Sequence, residues 1–320
     1  MVISLKTYIQ SRAMEFEVLK NKKILSAVSG GVDSTTSSVL LKSLGLRVDC
    51  LFIDTGYLRN GEVKEVTNSL KKVGLSLRVI DRKQYFYNLL KDVVGHKEKR
   101  EAFRNVYFQV LKKYLKDNKY EYLVQGTQFA QIGFKGRNSH NHATRDFLKS
   151  GIRVIEPVKG LKKNEVRVLA KALGLPRMIV DRMPFPGPGL LIRFSGSFTR
   201  AKLKTIRTAT KIVEEYFSMR KNSCAKIYQI VVFLVDEPKV PFINRRGNGE
   251  YGNILLIKIL TESYEKKQIQ YKPVPISASE IEGLTDDLLR IGGIARVCWD
   301  LTPKRGCGVN VMSGGTIEYI

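Results

Sequence analysis

Ser29-Gly30-Gly31-Val32-Asp33-Ser34 is the most informative segment of this chain. It follows an apolar run at residues 24–28 and precedes a helix-like segment from Thr35 to Leu44. Glycines let the backbone approach an anion closely, and the N–H groups and dipole of a helix start favour negative charge. The stretch therefore predicts a phosphate-binding loop between a buried strand and a helix.

The predicted loop differs from the common phosphate loop, because the pattern G-x-x-x-x-G-K-[ST] occurs nowhere in the chain. An aspartate and two serines stand in its place. Asp33 is a candidate Mg²⁺ ligand, and the hydroxyl groups of Ser29 and Ser34 are candidate phosphate contacts. The alternative that the residues leave open is an ordinary strand–turn–helix junction without a ligand.

The first half of the chain alternates strand-like and helix-like segments, which predicts an α/β fold built on a parallel sheet. Ligands of such sheets lie at the carboxyl ends of the strands. The predicted loop, Asp54 and Gly126 all follow predicted strands, so we expect them to share one site. The predicted strands are 22–28, 46–53, 76–80, 120–124 and 153–155.

The proline- and glycine-rich segment Pro184-Phe-Pro-Gly-Pro-Gly189 fits neither a helix nor a central strand. We therefore predict a first domain over residues 1–188 and a smaller α+β domain over 189–320. Residues 128–151 are polar and rich in glycine, asparagine and histidine, which is typical of a long lid loop.

The chain has 55 basic and 30 acidic side chains, a net charge of +25. Such an excess favours polyanionic ligands, from nucleotides to nucleic acid, although a biased surface composition explains it equally well. No apolar run is long enough to cross a membrane, and the N-terminus does not resemble a secretory signal. The four cysteines form no C-x-x-C pair, which indicates reduced thiols and a cytoplasmic location.

The loop resembles that of the N-type ATP pyrophosphatases, which cleave ATP between its α and β phosphates and adenylylate a carbonyl oxygen. Further stretches narrow the resemblance to the GMP synthetases, in the form of the separate synthetase subunit of two-subunit archaeal enzymes. The Pro/Gly block is the most specific of them. These stretches are Asp54-Thr-Gly-Tyr-Leu-Arg59, Gln125-Gly-Thr127, Ile155-Glu-Pro-Val158, Lys163-Asn-Glu-Val-Arg167, Leu173-Gly-Leu-Pro176, Arg182-Met-Pro-Phe-Pro-Gly-Pro-Gly-Leu190, Asp300-Leu-Thr-Pro-Lys304 and Thr316-Ile-Glu318.

The resemblance implies a ligase with an adenine-nucleotide α-hydrolase-like ATP pyrophosphatase domain and a dimerisation domain. It would adenylylate xanthosine monophosphate (XMP) with ATP and Mg²⁺, and ammonia from a separate glutaminase subunit would then yield GMP, AMP and pyrophosphate. The implied assembly is a homodimer. The implied nucleotide-binding residues are Ser29, Gly30, Gly31, Asp33, Ser34, Asp54, Arg59 and Gly126. Asp33, Ser34 and His140 are the implied catalytic residues, and Arg245, Arg246, Lys304 and Glu318 are the implied substrate contacts.

The chain departs from the family on the acceptor side, where the lid reads Asn138-Ser-His140-Asn-His142 and residues 305–315 interrupt the final motif. Two alternatives therefore stay open. One is a diverged paralogue that adenylylates another carbonyl, such as that of a tRNA base, which the basic charge would suit. The other is an ATP-binding regulator without turnover.

Overall fold

The computed structural model describes residues 4–126, 147, 150–219, 227–244, 246–265 and 268–302. By internal packing the chain divides into two compact units, and both units are discontinuous in sequence. The first comprises residues 1–54, 62–82 and 105–182. The second comprises residues 55–61, 83–104 and 183–320. The boundary after residue 188 that the sequence suggests stays a prediction.

The helices and strands of the first half alternate, as the sequence predicts. In chain order they are α1 (Leu5–Phe16), β1 (Ile24–Ala27), α2 (Val32–Ser43), β2 (Val48–Asp54), α3 (Glu62–Lys72), β3 (Leu77–Asp81), α4 (Lys83–Leu90), α5 (His96–Asp117), β4 (Tyr122–Val124), β5 (Arg153–Ile155), α6 (Lys163–Ala172) and α7 (Arg177–Val180).

The first unit is built on a five-stranded sheet with the order β3-β2-β1-β4-β5, and every neighbouring pair is parallel. Its central strand β1 is buried, with Ile24 and Leu25 each 1% exposed. A strand covered on both faces needs apolar side chains on both, which explains the continuous apolar run before the loop. The predicted α/β fold with a parallel sheet is confirmed.

The second unit contains further helices and strands. In chain order they are α8 (Arg200–Met219), β6 (Ile227–Ile243), β7 (Gly249–Glu265), β8 (Gln268–Pro273), α9 (Ala278–Leu289) and β9 (Ile294–Trp299). The strands form a mixed sheet in which β6 and β8 pair with β7 antiparallel and β9 pairs with it parallel. Helix α9 begins with a capping box, because Ser277 Oγ accepts from the Glu280 N–H and Glu280 Oε2 accepts from the Ser277 N–H.

The structure adds elements that the sequence analysis did not predict, namely α1, α7 and β8. Strands β6 and β7 are also longer than the apolar runs that predicted them, at 17 residues each. Beside the turn that joins them, residues 239, 241, 243 and 249–251 are exposed, so apolar patterning gives little signal there. Within the described residues, no helix has both the length and the apolar character needed to cross a membrane.

Lys99 is the fully buried lysine of the second unit. Its ammonium group donates to the Phe194 carbonyl oxygen at 2.8 Å and lies 4.2 Å from the centre of the Phe194 ring. Burial, and then repulsion by Lys202, lower the pKa of Lys99 to about 8.

Because the unfolded chain binds this proton more tightly, the free energy of unfolding should rise as the pH increases from about 8 to about 10. We expect Lys99→Met to lose this rise, so that wild type gains on the order of 1 kcal/mol relative to the variant across the window. Urea unfolding of both proteins at several pH values measures the difference. A difference that stays constant with pH would contradict the prediction.

Candidate nucleotide-binding site

Three neighbouring strands of the first unit end at the sequence-predicted site residues. The loop 29–34 follows β1, Asp54 is the last residue of β2, and Gly126 follows β4. Strand order reverses between β1 and β4, the type of position at which parallel sheets bind ligands. The expectation that these residues share one edge of the sheet agrees with the strand order.

The loop takes a backbone conformation that requires glycine. Gly30 has a φ of +75°, and an added Cβ would lie 2.4 Å from both Arg182 Nη1 and Val66 Cγ2. Arg182 Nη1 donates to the Gly30 carbonyl oxygen at 2.7 Å, and Arg182 Nη2 donates to Glu62 Oε1 at 2.5 Å. A buried ion pair therefore fixes the loop from behind, and no larger residue fits at position 30.

The start of helix α2 is open to an anion. Gly31 is its N-cap and offers no side-chain acceptor to the first N–H groups of the helix. The hydroxyl groups of Ser29 and Ser34 lie 3.2 Å apart beside this helix start. Backbone N–H groups, two hydroxyls and the positive end of a helix form a cradle of the kind that holds phosphate.

Asp33 and Lys163 form an ion pair at this helix start. Lys163 Nζ lies 2.6 Å from Asp33 Oδ2, and both side chains are 22% exposed. The other carboxylate oxygen, Asp33 Oδ1, is buried and has no hydrogen-bond partner among the described residues. An acceptor oxygen buried without a partner is costly for the protein alone and suits a cation.

Gly126 packs directly against the backbone of the loop. A Cβ at this position would lie 2.8 Å from both the Asp33 carbonyl carbon and the Ser34 nitrogen. Only glycine allows β4 to end so close to the start of α2. The sequence showed only a glycine that follows a predicted strand. The structure shows that this position needs glycine because a side chain would overlap the Asp33–Ser34 backbone.

Asp54 and Arg59 lie on different units. Asp54 is 8% exposed at the end of β2, and its carbonyl oxygen accepts from the Arg82 N–H at 2.9 Å. Arg59 belongs to the second unit, where its guanidinium lies 3.0 Å from Glu214 Oε1 and 4.7 Å from the centre of the Phe185 ring. Its role as a phosphate contact stays a prediction.

The predicted acceptor-side residues are mostly not described. Arg246 is exposed in the turn that joins β6 to β7, where its N–H donates to Asn244 Oδ1 at 2.9 Å. The other four lie outside the described residues and stay predictions, namely His140, Arg245, Lys304 and Glu318.

The chain is similar to known proteins over most of its length. It is 33% identical to a GMP synthase [glutamine-hydrolyzing] subunit of Methanopyrus kandleri over 291 residues, which cover 89% of this chain and 91% of that protein. With the corresponding protein of Methanocaldococcus jannaschii the identity is 34%, over 89% of this chain and 92% of that protein. The chain belongs to the family of these GMP synthase subunits.

Two further matches show which parts of the chain resemble other proteins. A family model described as thiamine biosynthesis protein (ThiI) matches residues 20–182, which contain the phosphate loop and the parallel sheet. The GMP synthase [glutamine-hydrolyzing] of Pyrobaculum aerophilum is 40% identical over 82% of this chain, but the match covers 53% of that longer protein. The resemblance to GMP synthetases that the motifs predicted is confirmed.

Lys163 and Arg182 contact the loop at this candidate site, and the sequence analysis did not select them. Both stand in stretches that carry the family resemblance, so a signal was present. However, Lys163 is 130 positions from its partner Asp33, and Arg182 is 152 positions from Gly30. Only the folded chain shows that they contact the loop.

Gly126→Ala tests the close approach of β4 to the loop. The added methyl group would overlap the Asp33–Ser34 backbone, so we expect a loss of about 1–3 kcal/mol in the free energy of unfolding, typical of overpacking. Gly283→Ala is the matched control, because Gly283 lies within helix α9 and a Cβ there meets no atom within 4 Å. That variant should gain about 0.5–1 kcal/mol, and equal effects of the two substitutions in urea unfolding would contradict the packing argument.

Proposed function

We propose that this protein is the ATP-using subunit of a GMP synthase and aminates XMP in two steps at the β1–β4 edge of the first unit. The observation that carries the proposal is the Asp33–Lys163 pair at the open start of α2, in a chain that matches GMP synthase subunits along nearly its whole length. Family membership also confirms the predicted enzyme class, an ATP-dependent C–N ligase.

The loop binds the β and γ phosphates of ATP. The N–H groups at the start of α2 and the hydroxyls of Ser29 and Ser34 point their donors at the phosphate oxygens. Lys163 supplies a positive charge, which it can share with the pyrophosphate as negative charge develops there. These groups stabilise the leaving pyrophosphate, and no proton transfer is needed for its departure.

Mg²⁺ fits this site through Asp33. Its buried Oδ1 is an unused carboxylate oxygen beside the phosphate cradle, and Mg²⁺ in nucleotide sites takes one or two carboxylates together with the phosphates. Among the described residues, no three acidic, histidine or cysteine side chains lie close enough together to hold a metal ion. Phosphate oxygens of ATP would therefore supply further ligands beside Asp33. When bound, the ion neutralises charge on the phosphate oxygens.

The reaction then balances as two displacements. The C2 oxygen of XMP attacks the α phosphorus of ATP, and the α–β bridge breaks to release pyrophosphate. Ammonia then attacks C2 of the adenylyl-XMP and loses one proton to solvent as the C2–O bond breaks, which releases AMP and leaves GMP. The protein's task in the first step is to hold the triphosphate in line with the acceptor oxygen.

Ammonia would come from a separate glutaminase. The Pyrobaculum aerophilum relative is named as glutamine-hydrolysing, and this chain matches only 53% of it. The relatives of similar length are each named as one subunit of such an enzyme. A homodimer in the cytoplasm that receives ammonia from a partner subunit is the assembly we propose.

Sulfur transfer to a tRNA base is the weaker candidate. The ThiI model ends at residue 182, whereas the GMP synthase relatives also match most of the chain beyond it. The described cysteines also give it no support in the first unit, because Cys50 is 2% exposed and burial raises its pKa to about 11.

Synthesis of GMP from ATP, XMP and ammonium tests the proposal. We expect purified protein with Mg²⁺ to release GMP, AMP and pyrophosphate in equal amounts, measured by chromatography and a pyrophosphate assay. Asp33→Asn removes the carboxylate charge at the loop and should lower kcat/KM by roughly 100-fold or more.

Asp117→Asn serves as the control, because Asp117 is an exposed residue whose partner is Lys113 at 3.1 Å on the same helix. This variant should keep the wild-type rate, since exposed pairs of this kind contribute little. Absence of GMP with wild-type protein would sink the proposal, and equal rates for wild type and Asp33→Asn would remove Asp33 from the mechanism.

A further inference from the structure

The loop 55–61 joins two residues of the predicted nucleotide site. Asp54 precedes it at the end of β2, and Glu62 follows it as the partner of Arg182. Although both ends continue into the first unit, the loop itself packs within the second unit. The loop is therefore joined by the chain to Asp54 at one end and to Glu62 at the other.

Three successive carbonyl oxygens of this loop accept hydrogen bonds from three different segments. The Gly56 oxygen accepts from Tyr87 Oη at 3.0 Å, and the Tyr57 oxygen accepts from the Leu190 N–H at 2.7 Å. The Leu58 oxygen accepts from Arg207 Nε at 2.9 Å. A loop with this many hydrogen bonds to its backbone is held in one conformation.

Arg207 donates to two of these three carbonyl oxygens. Besides its bond to Leu58, Arg207 Nη2 donates to the Gly56 oxygen at 2.5 Å, so one planar guanidinium spans two carbonyls. Gly56 has a φ of +82°, a conformation that glycine adopts readily, and a Cβ there would lie 2.3 Å from Tyr87 Oη. About two turns further along α8, Glu214 holds Arg59 of the same loop.

We propose that Arg207 is a positioning residue for nucleotide binding, which acts by clamping the loop that follows Asp54. Its hydrogen bonds within the described residues go to backbone oxygens of the loop, so its role differs from that proposed for the phosphate-binding groups. This inference rests on the proposed use of ATP but not on XMP as the acceptor. A helix of the second unit thereby controls the shape of the segment that connects Asp54 to Glu62.

Binding of α,β-methylene-ATP with Mg²⁺ and without an acceptor tests the inference by calorimetry. Arg207→Gln removes the bond to the Leu58 oxygen and one of the bonds to the Gly56 oxygen, which keeps Tyr87 Oη as a donor, so we expect the Kd to rise about tenfold. Arg207→Lys keeps the charge but reaches only one carbonyl, and its Kd should lie between those of wild type and Arg207→Gln. Lys211→Gln is the control, because Lys211 is an exposed basic residue of the same helix.

Steady-state kinetics separate positioning from general damage. The KM for ATP should rise in the Arg207 variants while the KM for ammonium stays at the wild-type value. Thermal melting identifies the variants that are folded. If Arg207→Gln does not fold, the inference is tested by whether Arg207→Lys raises the Kd for the analogue and the KM for ATP.

A folded Arg207 variant that binds the analogue within twofold of wild type overturns the inference. So does a loss that affects both KM values equally. The proposed function fails in a different way, because wild type would then bind nucleotide but make no GMP. In that case a weakened Arg207 variant would still support the clamp.

Discussion

The hydrogen bond from the Arg182 guanidinium to the Gly30 carbonyl oxygen holds the loop 29–34 in place. The arrangement of the candidate nucleotide-binding site depends on this bond. Gly30 can adopt its positive φ only because it lacks a Cβ, and Arg182 fills the space behind it. The same guanidinium pairs with Glu62, which is 5% exposed. A buried charge requires a partner, so the loop, the start of α3 and the end of the first unit are held together.

The fixed loop also sets the position of the charged groups at the start of α2. The start of α2 offers uncapped N–H groups, and Asp33 and Lys163 place one negative and one positive group beside them. The ion pair compensates both charges, although Asp33 Oδ1 has no hydrogen-bond partner among the described residues. In the proposed function, phosphates would replace Asp33 beside Lys163 and a cation would replace Lys163 beside Asp33, because each offers the opposite charge.

The loop that follows Asp54 is held by a different kind of interaction. Its shape comes from hydrogen bonds to backbone oxygens, and the donors include Arg207, which is 149 positions from Leu58 in the sequence. Backbone carbonyls are present at every residue and leave no trace in composition or periodicity. The sequence therefore gives no pattern from which this clamp could be predicted, although the clamp depends on the Arg207 side chain.

The parallel α/β sheet, the glycine-rich turn between β1 and α2 and the family could all be predicted from the sequence alone. Buried strands, helix starts and special glycines are local, because they follow from side-chain polarity and backbone freedom over a few residues. Only the tertiary structure decided that Lys163 meets Asp33, that Gly126 touches the loop and that the hairpin of β6 and β7 extends beyond its apolar core. These features depend on which distant segments approach each other. That approach is set by the packing of the whole chain, which no short stretch of sequence encodes.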